Sequence, residues 1–389
     1  MDNVKFGIIG IGNMGTVHTQ SVFSGKVPGL ELTAVADRNP ARREWAKGYL
    51  PAGFPIFDEG VELIQSGLVQ AVLIATPHYD HPPLTINAIN AGLHVMCEKP
   101  AGVHVKHVRE MNETAEKSDR VFGLMFNQRT NCNYRKMHEL VHSGKYGAIK
   151  RISWIITNWY RTQAYYDSGG WRATWAGEGG GVLLNQCPHN LDLLQWICGM
   201  PDKVRAFCHN GKWHDIEVED DVTAYFEYSN GATGTFITST ADAPGTNRFE
   251  ITLEKGKLVI ENNKNLILQE LEVNEREFCK TAKGGFDQPP MNQYNVETDG
   301  SNEEHNGVLR AFAGKILHGT PMVAEGTEGI HGLTFSNAMH LSSWLNTTVS
   351  LPFDEDLFLE ELNKRRAQSK HKTATGVVFD IGKSYNSGV

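Results

Sequence analysis

The sequence predicts an α/β protein in which an N-terminal doubly wound parallel sheet precedes an α+β domain with an open, mainly antiparallel sheet. Three observations carry this. Up to about residue 126 apolar runs alternate with helical stretches, the rhythm of βαβ units with helices on both faces of a sheet. Beyond a helical segment at residues 134–143 the runs become short, alternating and rich in β-branched or aromatic residues. At the very start, an apolar strand leads straight into Gly10-Ile11-Gly12-Asn13-Met14-Gly15 and then into a helical stretch.

That first motif is built to hold a pyrophosphate, as in a Rossmann domain. Gly10 permits the tight turn, Gly12 lets backbone approach the phosphates, and Gly15 allows helix and strand to touch. Asn13 and Met14 lie in the same loop, and the helix N-terminus supplies free N–H groups for the anion. A chain with 39 glycines places three at this spacing by chance, so context has to support the motif. It does: a second apolar run, residues 32–36, ends in Asp37, where a carboxylate accepts both hydroxyls of an adenosine ribose and repels a 2′-phosphate. NAD is the cofactor expected. Arg38 joins the expected contacts as a neighbour able to tolerate a phosphate, and Asp37 merely opening a turn before Asn39-Pro40 is the plainer alternative.

The runs at residues 71–75, 94–97 and 121–126 are continuously apolar, as in strands buried on both faces. Helices are expected between them at residues 82–91 and 105–117. Ligands collect beyond strand C-termini in such sheets. Thr76, Pro77, His78, Glu98, Lys99 and Asn127 therefore join the expected site, and His81 with them. Two histidines at a strand-to-helix turn without further ligands are read as lining the cofactor site or capping the helix, so no metal is expected.

In the second half, strands are expected at residues 150–159, 203–209, 222–228, 232–240, 248–254, 257–261 and 265–271. Asn230-Gly231 has the residues of a two-residue type I′ hairpin turn, and Lys255-Gly256 could turn another pair. An open sheet with a second apolar face suits a subunit interface, which points to a homodimer or homotetramer. Helical spacing returns at residues 305–345 and again at 353–366; the tail after Lys370 is too polar to place. The expected organisation is a dinucleotide-binding domain at residues 1–126, a substrate-binding and oligomerisation domain at 127–350, and a C-terminal helix and tail at 351–389.

Composition narrows the function classes. A formal net charge of -8 argues against nucleic-acid or anionic-membrane binding as the main activity. No apolar run approaches the roughly 20 residues needed to span a bilayer. With a strand beginning at once and no basic, apolar leader before it, the expected location is cytoplasmic. Cys97, Cys132, Cys187, Cys198, Cys208 and Cys279 show no Cys-x-x-Cys spacing and read as free thiols, not a zinc site or disulfide framework.

Three further segments carry chemistry: Cys97-Glu98-Lys99-Pro100, the run 123–129 ending in Asn127-Gln128-Arg129, and the glycine-rich run 179–192 containing Asn185, Pro188, His189 and Asp192. With the glycine loop and Ala75-Thr76-Pro77, this ordered set resembles the glucose-fructose oxidoreductase, inositol dehydrogenase and rhizopine catabolism family, Gfo/Idh/MocA, from Lys5 to about Phe353. The resemblance implies an NAD-dependent oxidoreductase acting on a small carbohydrate. The run Leu184-Asn185-Gln186-Cys187-Pro188-His189 looks most like members that oxidise C3 of pyranosides to 3-keto-glycosides. Inositol dehydrogenases are an alternative, as are relatives that use NAD to oxidise C3 transiently and release a glycoside by elimination, with a base near C2 drawn from tyrosines 160–166.

The residues themselves suit alcohol oxidation. A hydroxyl proton must leave to a base as hydride leaves the carbinol carbon. Pro188 suits a first helical turn, placing Asn185 just ahead, His189 in that turn and Asp192 one turn on. His189 needs only a small shift to be a base near neutrality. Lys99 needs its pKa lowered by roughly 3 units, about 4 kcal/mol, or else stays charged and stabilises a developing alkoxide. Lys99, His189 and Asn185 are the expected catalytic residues. Many relatives carry aspartate where this chain has Asn185, and an amide can hold an imidazole but cannot stabilise imidazolium by charge. Either Lys99 then takes more of the proton transfer, or Asp192 contributes the charge as a substrate-side residue; a purely structural Asp192 is the competing reading. Tyr160, Arg161, Trp171 and Arg172, in a stretch dense in aromatics and arginine, are expected to contact substrate, since aromatic faces pack on sugar C–H faces, and Asn127 is expected to touch both substrate and cofactor.

Overall fold

The structure, a computed structural model, describes residues 3–370 and 372. The first sheet contains β1 (Val4–Ile9), β2 (Leu30–Ala36), β3 (Ile56–Phe57), β4 (Ala71–Ile74), β5 (His94–Cys97) and β6 (Phe122–Leu124). Between them run α1 (Asn13–Phe23), α2 (Pro40–Tyr49), α3 (Gly60–Gln65), α4 (His81–Asn90) and α5 (Val105–Glu116). The strand order is β3-β2-β1-β4-β5-β6 and every pairing is parallel, the doubly wound arrangement expected. Strands 71–74 and 94–97 are almost wholly buried, because helices cover both faces.

Register decides where the site lies. Ile9 sits opposite Ala36 on one side and Ile74 on the other, Ile74 opposite Cys97, and Cys97 opposite Leu124. The strands therefore end level, and Gly10, Asp37, Ala75, Glu98 and Met125 follow them along one edge.

The second half holds α6 (Cys132–His142), β7 (Ile149–Ile156), α7 (Gln163–Asp167), α8 (Pro188–Cys198), β8 (Lys203–Asn210), β9 (Glu219–Glu227) and β10 (Thr233–Ser239). There follow β11 (Asn247–Leu253), β12 (Gly256–Glu261), β13 (Leu266–Leu271), α9 (Glu275–Thr281), β14 (Met291–Asn295), α10 (Glu304–His318), α11 (Gly329–Leu345), β15 (Val349–Ser350) and α12 (Glu355–Arg366). Among the described residues nine strands form one sheet in the order β14-β13-β12-β11-β7-β10-β9-β8-β15. It is antiparallel except where β7 lies parallel to β10, a long-range pairing that alternation along the chain cannot reveal. Its inner face is an apolar core in which Trp154 stacks on Phe249 with centroids 4.1 Å apart. Its outer face carries half-exposed Phe207 and Tyr225.

Two expectations change. Gly231 takes a positive φ of 86° but Asn230 does not, so the β9–β10 connection is not the type I′ turn, which needs both. Helix α10, placed by sequence in the second domain, returns to the first: Phe312 packs edge-on to Phe6 at 6.4 Å, with Val308, Leu309 and Ala313 buried in the same cluster. The chain thus crosses between the domains more than once. Helix α12 is tied to α5 by ion pairs from Lys106 to Asp356 and from Arg109 to Glu355. Most of the polar tail lies outside the described residues. Among the described residues no helix is long and apolar enough to cross a membrane.

Candidate active site

The glycine loop closes as its spacing requires. Gly10 has φ +89°, and a Cβ there would meet the Ala75 carbonyl oxygen at 2.6 Å. A Cβ on Gly15 would collide with the Gly10 carbonyl oxygen, whereas among the described residues nothing lies within 4 Å of the Cβ position on Gly12. The loop is therefore tight below and open above, the shape a pyrophosphate needs. Asn13 and Met14 form the first turn of α1, and Asn13 Oδ1 accepts from Arg42 at 3.3 Å. Asp37 braces the loop: Oδ2 accepts from Ile11 N–H at 2.7 Å and Oδ1 from Asn39 N–H at 2.8 Å. Each oxygen keeps a lone pair for a ribose hydroxyl. Arg38 points to Glu59 at 2.8 Å and Asp80 at 3.7 Å, so two carboxylates already hold the cation that would tolerate a 2′-phosphate. The buried Thr76 hydroxyl, between Ala75 and Pro77 on the same edge, has no hydrogen-bond partner. An open cradle, a ribose acid and an idle hydroxyl fit a dinucleotide.

The histidines of the next turn are more constrained than expected. His81 has both ring nitrogens on backbone carbonyls, Pro100 at 2.7 Å and Thr76 at 2.8 Å. This corrects its reading as a cofactor contact: it clamps the β4 turn to the Lys99-Pro100 turn. His78 Nδ1 lies 3.2 Å from the Glu178 carbonyl, joining the first domain to the loop before α8.

Glu98 is buried, with Oε1 on His18 Nε2 at 2.7 Å and Oε2 accepting from Lys99 N–H at 3.1 Å. Burial opposes its charge, but the His18 contact and the His305 and Lys99 charges outweigh it and hold the carboxyl at about 2. Glu98 thus anchors the strand end from within. His305, from the start of α10, lies edge-on to His18 at 5.5 Å and has its pKa lowered to about 4 by burial and the neighbouring charge. Asn127 contacts His305 at 3.5 Å through Nδ2, leaving buried Oδ1 without a partner.

Lys99 is half-buried and donates from Nζ to the Asn185 carbonyl at 2.9 Å. Burial lowers its pKa, helped by the Arg172 and Arg161 charges and opposed by Glu98 and Glu178. His189 occupies the first turn of α8, beside Phe126, and neither buried ring nitrogen has a partner. Burial, then the Lys99 charge, pushes its pKa well below the ordinary value. His189 is therefore a neutral ring, not the near-neutral base expected.

Two further expectations are corrected. The Asn185 amide does not hold His189; its Nδ2 donates to Glu178. Asp192 is not on the substrate side, for it makes a bidentate pair with Arg129 at 2.7 and 2.8 Å and accepts from Gln195 at 3.1 Å. Arg129 also reaches Glu328 at 2.7 Å, so Asp192 belongs to a buried structural network.

The aromatic stretch does assemble. Arg172 lies over Trp171 at 4.5 Å and Tyr165 at 4.8 Å and donates to Tyr165 Oη at 3.1 Å, while Trp171 meets His78 edge-on at 5.7 Å. Arg161 sits over Tyr165 at 5.1 Å; Tyr160 is half-exposed. Sequence reasoning missed Glu219, whose Oε1 accepts from Gly181 N–H at 2.8 Å and Leu183 N–H at 3.0 Å, fixing the loop that delivers Asn185 and His189. It missed His18, His305 and Glu178 as well. His18 alone left a signal, falling one helical turn after Gly15 on the buried face of α1.

Comparisons with known proteins identify the family. Residues 4–126 match the model described as the oxidoreductase family, NAD-binding Rossmann fold, and residues 134–259 match the GFO/IDH/MocA C-terminal domain. The myo-inositol 2-dehydrogenase of Thermotoga maritima is 26% identical over 265 residues, 67% of this chain and 75% of that one. The WlbA dehydrogenase of Chromobacterium violaceum, solved with NADH and UDP-GlcNAcA, superposes with a TM-score of 0.74 at 26% identity over 90% of this chain and 97% of that one. Levoglucosan dehydrogenase, solved with NADH and levoglucosan, has a TM-score of 0.72 at 21% identity over 90% and 100% of the two chains, a likeness of fold. From its first strand through the central sheet of its second domain, this chain belongs to the Gfo/Idh/MocA family of NAD-binding oxidoreductases.

Proposed function

We propose that the chain is an NAD-dependent dehydrogenase oxidising a secondary hydroxyl of a sugar, glycoside or cyclic polyol, with C3 of a pyranoside as the preferred position. The observation that carries this is the pairing of an amine with lowered pKa, Lys99, with a buried histidine whose two ring nitrogens are idle. Bound NAD, cradled by Gly10, Gly12 and Gly15 and braced at its ribose by Asp37, supplies the hydride acceptor. Lys99, when neutral, takes the hydroxyl proton as the C–H bond breaks, and as ammonium it returns that proton in the reverse direction. His189 donates or accepts a hydrogen bond at the reacting or adjacent hydroxyl, which a neutral ring can do from either nitrogen. Trp171, Tyr165 and Arg172 form a rim suited to a sugar face.

The C3 preference rests on the run 184–189 and on this rim. The myo-inositol dehydrogenase relative supports a cyclic polyol as the second reading. For the elimination route Tyr166 is a poor base, since burial raises its phenol pKa and its hydroxyl pairs with Thr240 at 2.7 Å. The half-exposed outer face of the large sheet would join two copies, as a homodimer or half of a homotetramer.

The test is to mix purified protein and NAD with methyl glucoside, free glucose and myo-inositol, following reduced-nicotinamide absorbance and product mass. A keto product two mass units lighter from methyl glucoside is expected. Reaction of inositol or free glucose alone would overturn the pyranoside C3 assignment, and no reaction with any of the three would overturn the substrate class.

A further inference from the structure

Position 185 lacks a carboxylate, yet the site does not. We propose that Glu178 is the carboxylate of this active site, a positioning residue that acts through Asn185 to fix the Lys99 amine and to set the pH range in which it exchanges a proton. This rests on reading Lys99 as the proton-handling group.

The geometry begins with burial. Glu178 is 2% exposed, on the loop just before Gly179, yet each of its oxygens accepts one hydrogen bond. Oε2 accepts from Ala173 N–H at 2.5 Å, Oε1 accepts from Asn185 Nδ2, and Arg172 Nη1 lies 3.9 Å from Oε1. A carboxylate only accepts, so it dictates which end of the Asn185 amide faces it. The backbone carbonyl of the same Asn185 takes the Lys99 Nζ proton at 2.9 Å. The amine is thus held by a residue that Glu178 holds.

Charge completes the case. Lys99 is faced from the first domain by Glu98, with His18 and His305 behind it, and by His78 from the β4 turn. From the second domain it is faced by His189, Arg161, Arg172 and Glu178. Only two of these are anionic. Glu98 is committed to His18 and the Lys99 backbone. Glu178 is the carboxylate on the substrate loop: burial raises its pKa, while Arg172, the Ala173 N–H and the Asn185 amide favour its charge, and without it Lys99 would face burial and two arginines with one carboxylate fewer. A role confined to holding the loop together would fix the fold and leave the titration of Lys99 unchanged, which separates the two readings.

Glu178→Gln keeps the shape and one acceptor while removing the charge. Trace acetylation with acetic anhydride, read lysine by lysine by mass spectrometry, measures the free-amine fraction of Lys99 and needs no substrate. In Glu178→Gln the Lys99 rate at pH 7 is expected to rise about three- to tenfold, since the free-amine fraction grows about tenfold for each unit a pKa falls. Other lysines should be unchanged, and the pH limb of kcat/KM should move to lower pH. The double variant Glu178→Gln with Asn185→Asp restores a carboxylate one hydrogen bond away and should bring the rate back towards that of the parent. An unchanged Lys99 rate in a normally melting Glu178→Gln protein overturns the proposal. If that variant melts early, the Lys99 rate relative to the other lysines is read well below its melting temperature, and an unchanged ratio overturns the proposal equally. A shifted Lys99 rate in a protein that oxidises no carbohydrate would leave Glu178 in this role and remove the proposed function instead.

Discussion

Two successive turns of α8 treat their polar side chains in opposite ways. His189, in the first turn, is buried with both nitrogens idle, whereas Asp192, in the next, has both oxygens engaged by Arg129 and a further contact from Gln195. Burial is the same; satisfaction is not. A buried polar group without a partner costs about 1–3 kcal/mol; on the proposed function a substrate hydroxyl would offset that cost at His189, whereas the fully bonded Asp192 is architecture.

Breaking the architectural turn should have the largest effect. Arg129→Ala leaves Asp192 charged and unpaired in the core, so a stability loss of about 3–5 kcal/mol is expected in denaturant unfolding; a loss under about 1 kcal/mol would mean that Asp192 is as idle as His189. On the other side, Lys99→Ala should lower turnover about a hundred- to a thousandfold with a melting temperature close to that of the parent. Equal damage to stability would move Lys99 into the architectural class.

Acid sharpens the contrast. His305 has its pKa depressed to about 4 from an ordinary 6.5, so between those values the folded protein binds fewer protons than the unfolded chain. The stability this group contributes is present above pH 6.5 and is lost as pH falls through about 4, on the order of 3 kcal/mol. Unfolding free energies measured from pH 7 to 4 should therefore decline, and His305→Asn should flatten the decline; identical slopes would contradict a buried neutral ring. The smallest effect belongs to Arg38→Ala, where pairing is exposed: a change within about 1 kcal/mol in stability is expected, with NAD affinity by fluorescence titration altered little. A large loss of NAD binding would place Arg38 at the cofactor after all.

The readable parts of the chain were those in which local spacing and function coincide. Gly10 to Gly15, Asp37 and the level strand ends follow from a short stretch of sequence, and Pro188 marked the start of α8 correctly. What escaped depends on distant partners. Nothing near Asp192 announces Arg129, sixty-three positions earlier, nor does anything near Gly181 announce Glu219. The parallel pairing of β7 with β10 is hidden for the same reason, since alternation shows which face a residue takes and not which strand lies beside it. His189 was placed correctly but assigned the wrong acidity, because its pKa depends on burial and on a lysine from the other domain.

The edge-on contact between Phe6 and Phe312 has a consequence for biosynthesis. The first sheet emerges from the ribosome early, but the helix that covers the apolar flank of β1 is made only after most of the chain. At about 5–20 residues per second, that flank waits roughly 15 to 60 seconds for its cover. A nascent chain stalled or truncated after residue 126 would display Phe6 and its neighbours as a ready chaperone target, so translation speed through the intervening sheet bears on yield as directly as the stability of the finished protein.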